Sequence, residues 1–475
     1  MALERGTRAE WMPLHPAQRG IYYQQRATPT SPKYNVGGYI RVKGRFDTVQ
    51  FRASLGRFWH SNEAERLQVS FVDGEPLQRV RGEVDMPELT TIELMGDASS
   101  KRTEAMAWMQ ERMDLAFDMH VFPLFEHALL PVDGNEVWYF SRHHHICVDA
   151  YSFGLKIDQV LRNYMRSQSG EPPNEVPAMH YADEVDAATR YLDSDDFTRD
   201  QIYWKDKYRS APDLIWPDVY GVEIGDALSV PLPSSLQRDF LAVVQAAGVG
   251  PMQGIMVLTM LHLARTRGTL DAVVGVPLHN RVYRRQKLTF GKFSAIIPAR
   301  VTLDARAGLL EALRTLQRSL SEDLLHRHFN HWSGVVQQMN LQDSQRRALF
   351  DLVVNYEPFI VWPQPDGARV SAQELTSSAQ SVPMHVRLCD FGAGQPLMLK
   401  VDAISSVLPA EGIRAVAEGL LDTMRTALER PECPLDELFD SPSGEHPTKT
   451  TPSAQPAAWA SHSRDLTSAK PNAAS

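Results

Sequence analysis

Cysteine is scarce: three in 475 residues, too few for a disulfide framework. Cys147, Cys389 and Cys433 lie far apart and form no CxxC pair, which excludes a cysteine-rich zinc site and suits a reducing cytoplasm. Cys147 sits in an apolar-alternating stretch and reads as a small buried hydrophobe. Long hydrophobic runs are also missing. No window approaches the ~18 apolar residues of a membrane-spanning helix, and the first residues, MALERGTRAEWMPLHPAQ, lack the apolar core of a signal peptide. Basic charge is in deficit: 49 Lys plus Arg against 58 Asp plus Glu give a net charge of −9, a poor match for nucleic acid. What remains is ordinary globular composition, 43% hydrophobic and 23% charged. The expectation is a cytoplasmic chain, a monomer, binding neither nucleic acid nor membrane.

At roughly 100–200 residues per domain, the length predicts two to four units of structure. Residues 35–45 alternate with period two, as a strand does. Residues 47–61 place Phe51, Leu55, Phe58 and Trp59 on one helical face. Two strands flank an Asp73-Gly74 turn, a helix is expected over 101–113, and Phe125–Leu130 with Val137–His143 reads as a hairpin. Asp149 then precedes a helical pattern through Phe153, Leu155, Ile157, Val160, Leu161 and Tyr164. Gly, Pro and polar residues cluster over 167–178 without periodicity, the clearest internal break. The second half repeats the style. Helices are expected at 234–247 and 251–267, a buried strand from Asp271 to Pro277, and a helix carrying Leu309, Leu313, Leu316 and Leu320. A strand from Leu349 to Asn355, a hairpin over 384–403 and a helix over 410–428 follow. Residues 441–475 are rich in Ser, Thr, Pro and Ala and predict a disordered tail. The fold class is α/β (α+β) in two lobes, 1–175 and 176–440.

One stretch concentrates chemistry: His143-His144-His145-Ile-Cys-Val-Asp149-Ala150-Tyr151-Ser152. A strand runs into it and a helix leaves it. Alternation along a strand puts His143 and His145 on one face and His144 on the other. Four residues separate His145 from Asp149, so a carboxylate can order the loop that carries an imidazole. An imidazole near its pKa accepts a proton from an amine or hydroxyl. Three readings stay open on the residues alone. One is a metal site, though no third ligand cluster is evident. Another is a set of hydrogen-bonded core histidines. The third is a general base for acyl transfer.

The stretch His144-His145-Ile-Cys-Val-Asp149-Ala150 resembles the HHxxxDG signature of nonribosomal peptide synthetase condensation domains, members of the chloramphenicol acetyltransferase-like superfamily. Further segments are similar in the family's order. Leu14-His-Pro-Ala-Gln18-Arg-Gly-Ile-Tyr22 is similar to the opening motif, and Glu65, Leu67 and Phe71 fit the second. Val274-Gly-Val-Pro-Leu-His-Asn-Arg281, Phe290-Gly291-Lys-Phe-Ser294 and Phe350-Asp-Leu-Val-Val-Asn355-Tyr356 match later ones. Departures are Ala150 in place of the signature glycine, Glu63, Ala64 and Gln68 in the second motif, and Ser294-Ala295 in place of an Asn-Thr pair.

The resemblance implies two acetyltransferase-like lobes in a V-shaped pseudo-dimer with the site in a tunnel between them. It implies acyl transfer from a carrier-protein-bound 4′-phosphopantetheine thioester to an amine or hydroxyl, carrier-bound or free. No metal or bound cofactor is expected. No adenylation or carrier sequence follows, so a free-standing condensation enzyme of natural-product biosynthesis is the expectation. By resemblance His145 faces the channel as the catalytic residue, with His144 beside it largely structural. Asp149 and Arg281 form an ion pair that fixes the loop. Ser152 is either an N-cap or a source of backbone N–H for an oxyanion. Gly291, a strand-edge glycine as sequence, and Ser294 line the tunnel, and Asn355 is a polar residue on a buried strand. Two alternatives are an acyl-coenzyme A-dependent acyltransferase of the same fold and a non-catalytic recruitment module. Asp390-Phe-Gly-Ala-Gly394 resembles a motif of the plant-type coenzyme A enzymes, without its tryptophan.

Overall fold

The computed structural model describes residues 11–439, except 83, 175, 177, 218, 220–222, 330–347, 359–361, 381 and 393. The tail over 441–475, expected to be disordered, lies outside the described residues.

The first half holds β1 (Met12–Pro13), α1 (Pro16–Ala27), β2 (Asn35–Gly44), α2 (Thr48–Ser61), β3 (Leu67–Val72) and β4 (Glu75–Val80). It continues through β5 (Thr90–Thr91), α3 (Ala98–Met113), β6 (Phe125–Asp133), β7 (Glu136–His144) and α4 (Ala150–Gln168). Then come α5 (Tyr181–Leu192), α6 (Asp195–Lys207), β8 (Glu223–Pro231), α7 (Ser234–Ala247), α8 (Pro251–Arg267), β9 (Asp271–Leu278), α9 (Arg284–Lys287) and β10 (Ala295–Thr302). The last described elements are α10 (Leu309–Leu325), β11 (Leu352–Pro358), β12 (Ala368–Thr376), β13 (Ala379–Gln380), β14 (Met384–Asp390), β15 (Met398–Ile404), α11 (Ala410–Glu429) and α12 (Leu435–Phe439).

Two main sheets result. One has the order β12-β2-β7-β6-β5, the other β10-β9-β11-β14-β15-β8-β13, and β1-β4-β3 form a small third sheet. In the first sheet Val42, Tyr139 and Leu129 face one core with Phe51, Phe58 and Val160 of α2 and α4. Tyr39, Trp138 and Phe140 face the other way, with Ala105 and Met109 of α3. This is the period-two alternation of strands sandwiched between helices.

Helix α8 is mostly apolar, and from Gly254 to Ala264 every residue is buried, Thr259 and His262 included. It packs on α10, α11 and β11. Pro251 opens it, where a missing N–H is harmless, and Gly268 ends it at φ 72°, a left-handed conformation suited to glycine. No single described helix is long and apolar enough to cross a membrane.

Two details differ from expectation. The strand expected from Leu349 begins at Leu352. The second half also donates β12 to the first sheet, where it pairs with β2 from Ala368–Gly44 to Thr376–Val36. No strand was expected there.

Candidate active site

Strand β7 ends at His144, so the alternation assumed for the three histidines stops one residue early. His143 and His144 are both 1% exposed, whereas His145 is half-buried. The His143 ring lies 3.3 Å from Glu65 and 3.2 Å from Lys156 Nζ, inside the core. His144 Nδ1 accepts from Ile146 N–H at 3.1 Å, and burial pushes its pKa down to about 3. It serves the turn.

His145 is held differently. Its backbone N–H donates to Tyr34 O at 2.7 Å, and its Nδ1 lies 2.5 Å from Val148 O. A carbonyl only accepts, so Nδ1 carries the proton and Nε2 presents a lone pair. Burial first, then the nearby Lys292, pushes His145 down to about 4; the Val148 carbonyl and Asp149 only partly offset this. The ring is therefore neutral near pH 7. The loop below it is tied to α1 by Gln18, whose Nε2 donates to Ile146 O at 2.7 Å and to Gln78 Oε1 at 2.9 Å. Gln18 Oε1 accepts from His15 N–H at 2.7 Å.

Asp149 is the N-cap of α4. Its Oδ1 accepts from Ser152 N–H at 2.9 Å. Its Oδ2 accepts from Arg281 Nη1 at 2.9 Å and from the N–H groups of Phe293 and Ser294, both at 3.0 Å. Burial pushes the carboxyl up, but Arg281 and these donors outweigh it and hold the group well below the carboxylate range. Arg281 is 3% exposed and uses all its N–H groups. Beyond Asp149 they reach His279 O, Ser152 Oγ at 2.6 Å, Gly291 O at 3.0 Å and Thr289 O. Its guanidinium also lies over the rings of Tyr151 and Phe293, at 4.7 and 4.6 Å. The pair thus clamps the start of α4 to the loop between β9 and β10.

Two readings of single residues need correction. Ser152 is not an N-cap; that place belongs to Asp149. Its N–H is already taken, and its Oγ donates to Gly291 O while accepting from Gly291 N–H and Arg281. A hydroxyl with its donor and both lone pairs engaged has nothing left for an oxyanion. Gly291 is not at a strand edge but in the loop before β10. A Cβ there would sit 2.7 Å from the Tyr181 ring and 2.8 Å from the Phe293 ring, so close packing requires glycine.

The family model for the condensation domain matches residues 8–446. The chain belongs to the condensation domain family. Condensation domains catalyse amide-bond formation, an acyltransferase-type reaction. The isonitrile lipopeptide synthase of Streptomyces coeruleorubidus is 26% identical over 440 residues, 91% of this chain but 29% of that protein. Surfactin synthase subunit 1 of Bacillus subtilis (strain 168) is 22% identical over 437 residues, 90% of this chain and 12% of that protein. The chain thus spans less than a third of either relative. The first condensation domain of the calcium-dependent antibiotic synthetase shares the fold at TM-score 0.79 and 18% identity, over 91% of this chain and 99% of that one. The starter condensation domain of rhizomide synthetase, a mutant solved in complex with C8-CoA, gives TM-score 0.78 at 21% identity, over 90% and 96%. The mixed α/β, chloramphenicol acetyltransferase-like fold expected of this condensation domain is the one observed.

Not every expected residue converges. His145, Asp149, Ser152, Arg281, Gly291 and Ser294 share one connected frame, to which His144 is joined through the turn. Asn355 is half-buried rather than buried. Its Nδ2 donates to Glu357 Oε1 at 2.9 Å, beside the Arg387–Glu374–Asp402 ionic cluster. Strand β11 pairs with β9 only at Leu352–Val274 and Val353–Gly275, and Asn355 lies just past that point. Reading the sequence missed His15, Lys156 and Lys292. The only signal for Lys292 was its place between Gly291 and Phe293.

Among the described residues no group of three or more His, Cys, Asp or Glu is placed to hold a metal ion.

Proposed function

We propose that this condensation domain transfers an acyl group from a carrier-protein-bound phosphopantetheine thioester to an amine or hydroxyl acceptor. It would act as a monomer in the cytoplasm, with no metal or cofactor of its own. The lobes are read as 1–175 and 176–440, with β12 of the second paired into the sheet of the first. The observation that carries the proposal is His145: neutral, half-buried, its tautomer fixed by Val148 O, and its Nε2 uncommitted. In the proposed step the acceptor nitrogen or oxygen attacks the thioester carbonyl. The new C–N or C–O bond forms, the C–S bond breaks, the acceptor proton passes to His145 Nε2, and the thiolate leaves to be protonated as the thiol. Asp149 and Arg281 touch none of the reacting atoms in this reading. They hold the loop and the start of α4 rigid.

Coenzyme A is the competing donor, because a similar starter condensation domain was solved in complex with C8-CoA. The test uses the 475-residue chain with separate acyl-carrier thioesters and the matching acyl-coenzyme A, a free amine and a free alcohol competing as acceptors. Intact mass spectrometry of the carrier gives the rate. Carrier thioesters are expected to win by at least about tenfold in kcat/KM, roughly 1.4 kcal/mol, through contacts remote from the thioester. Equal or better use of acyl-coenzyme A would reverse the assignment of the donor. His145→Ala is expected to lower the rate by about 10²–10⁴ with native thermal stability. Retention of more than about a third of the wild-type rate would remove His145 from the chemistry.

A further inference from the structure

The frame around His145 holds a cation that nothing in it neutralises. Lys292 is 5% exposed. Its Nζ donates to Ser294 O and, at 2.7 Å, to Ser294 Oγ, both uncharged. No carboxylate among the described residues forms an ion pair with it. The acid that acts on it most strongly, Asp149, is occupied by Arg281 and three backbone N–H groups. Asp149 contributes one negative charge, Arg281 and Lys292 one positive charge each, and His145 and His15 are neutral. The site therefore carries a net charge of +1 away from solvent.

An unpaired buried ammonium opposes folding, and strongly perturbed ionisable groups cluster at functional sites. It also works against the proposed chemistry. Lys292 disfavours protonation of His145, so a bare Lys292 weakens the base beside it. A carboxylate placed on Lys292 would remove that effect as the substrate binds.

We propose that Lys292 binds a carboxylate carried by one of the two substrates, and so determines specificity for an anionic substrate. The carboxylate is either the free α-carboxylate of an amino-acid acceptor or the terminal carboxylate of a dicarboxylic acyl donor. The inference rests on the acyl-transfer reading for its reaction, but not for its binding.

Two kinetic arms separate the sources. In one, free L-amino acids are compared with their carboxamides as acceptors, with octanoyl-carrier as donor. In the other, succinyl-carrier is compared with butyryl-carrier, with one fixed amine. Wild type is expected to favour the carboxylate at least about tenfold in kcat/KM in one arm. Lys292→Met should reduce that preference below about threefold, and Lys292→Arg should keep most of it. Absence of a preference in both arms, or a preference that survives Lys292→Met, overturns the proposal. A calorimetric titration with the same amino acids and with succinate needs no turnover. The tightest of them is expected to bind Lys292→Met about tenfold more weakly than wild type. If that difference is found but no substrate turns over, the acyl-transfer reading falls and Lys292 stands. If wild type binds none of them, Lys292 falls.

Discussion

Lys156 and Lys292 are sealed from solvent to a similar degree, 2% and 5% exposed, yet their electrostatics are opposite. Burial alone pulls a lysine pKa down. For Lys156 the Glu65 carboxylate, 2.9 Å away, outweighs burial, and the amine is held above its ordinary value. For Lys292 burial prevails over Asp149, Arg281 adds to it, and the amine falls to about 8. The residue type is the same; the difference is a carboxylate within reach. Lys156 belongs to the framework that joins α2, β7 and α4, with its ammonium near the rings of Phe58 and Phe125. Lys292 belongs to the site, where its missing partner is informative.

The largest expected effect tests the paired side. Glu65→Gln leaves Lys156 charged and alone in the core, which typically costs about 3–5 kcal/mol. Urea denaturation at pH 7 measures it. Adding Lys156→Met should recover most of the loss, because well-packed apolar replacements of a buried pair are often neutral. A loss under about 1 kcal/mol for Glu65→Gln would mean that the pair does not hold Lys156, and the contrast with Lys292 would fail. Arg281→Ala is the same experiment on the frame itself. It strands Asp149, and a melting temperature equal to wild type would show that the clamp is not structural.

The contrast between the two lysines also marks how far the sequence could be read. Helix α8 was legible because its composition, its opening proline and its closing glycine all agree. The strand, turn and helix around His145 and Asp149 were legible because the turn falls where periodicity changes, although the N-cap was read at Ser152 and lies at Asp149. Lys156 and Lys292 were not legible. A lone lysine in a sequence is usually on the surface, and what makes these two exceptional lies far along the chain, Glu65 for one and Asp149 for the other. The readings of Ser152 as an N-cap or an N–H donor to an oxyanion failed locally, because Asp149 takes both the cap position and the Ser152 N–H. Strand β12 needed a partner more than 320 residues away in β2, a pairing local pattern does not encode.

Acid titration gives an intermediate effect. Burial raises Glu65, but Lys156 and His143 outweigh it and hold it at about 2. A carboxyl depressed in the folded state stabilises fully above its unfolded value, about 4.3, and loses that contribution as pH falls toward the folded value. Stability should therefore fall between about pH 4.5 and 2, and Glu65→Gln should flatten part of that slope. An identical slope in the variant would assign the loss to other carboxyls. In turnover, His145 at about 4 places the acid limb of kcat/KM near pH 4 rather than near 6.5. A limb near 6.5 would mean that neither burial nor Lys292 depresses His145 in the free enzyme.

The smallest effect bears on the unpaired side. Lys292→Met removes a buried charge and two hydrogen bonds to Ser294 while filling similar volume. If the unpaired charge dominates, the variant melts at or a few degrees above wild type at pH 7, about 1–3 °C. The pH dependence gives the sign. The folded pKa is about 8, against about 10.4 in the unfolded chain, so the unfolded state binds more protons between those values. Wild-type stability therefore gains from this group as pH rises through that window, and the methionine variant lacks the gain. The gap between the two should shrink from pH 7 to pH 10. A variant less stable than wild type by the same amount across that range would show that the Ser294 bonds outweigh the charge. Lys292 would then be a structural residue like Lys156, and the difference between the two lysines would disappear.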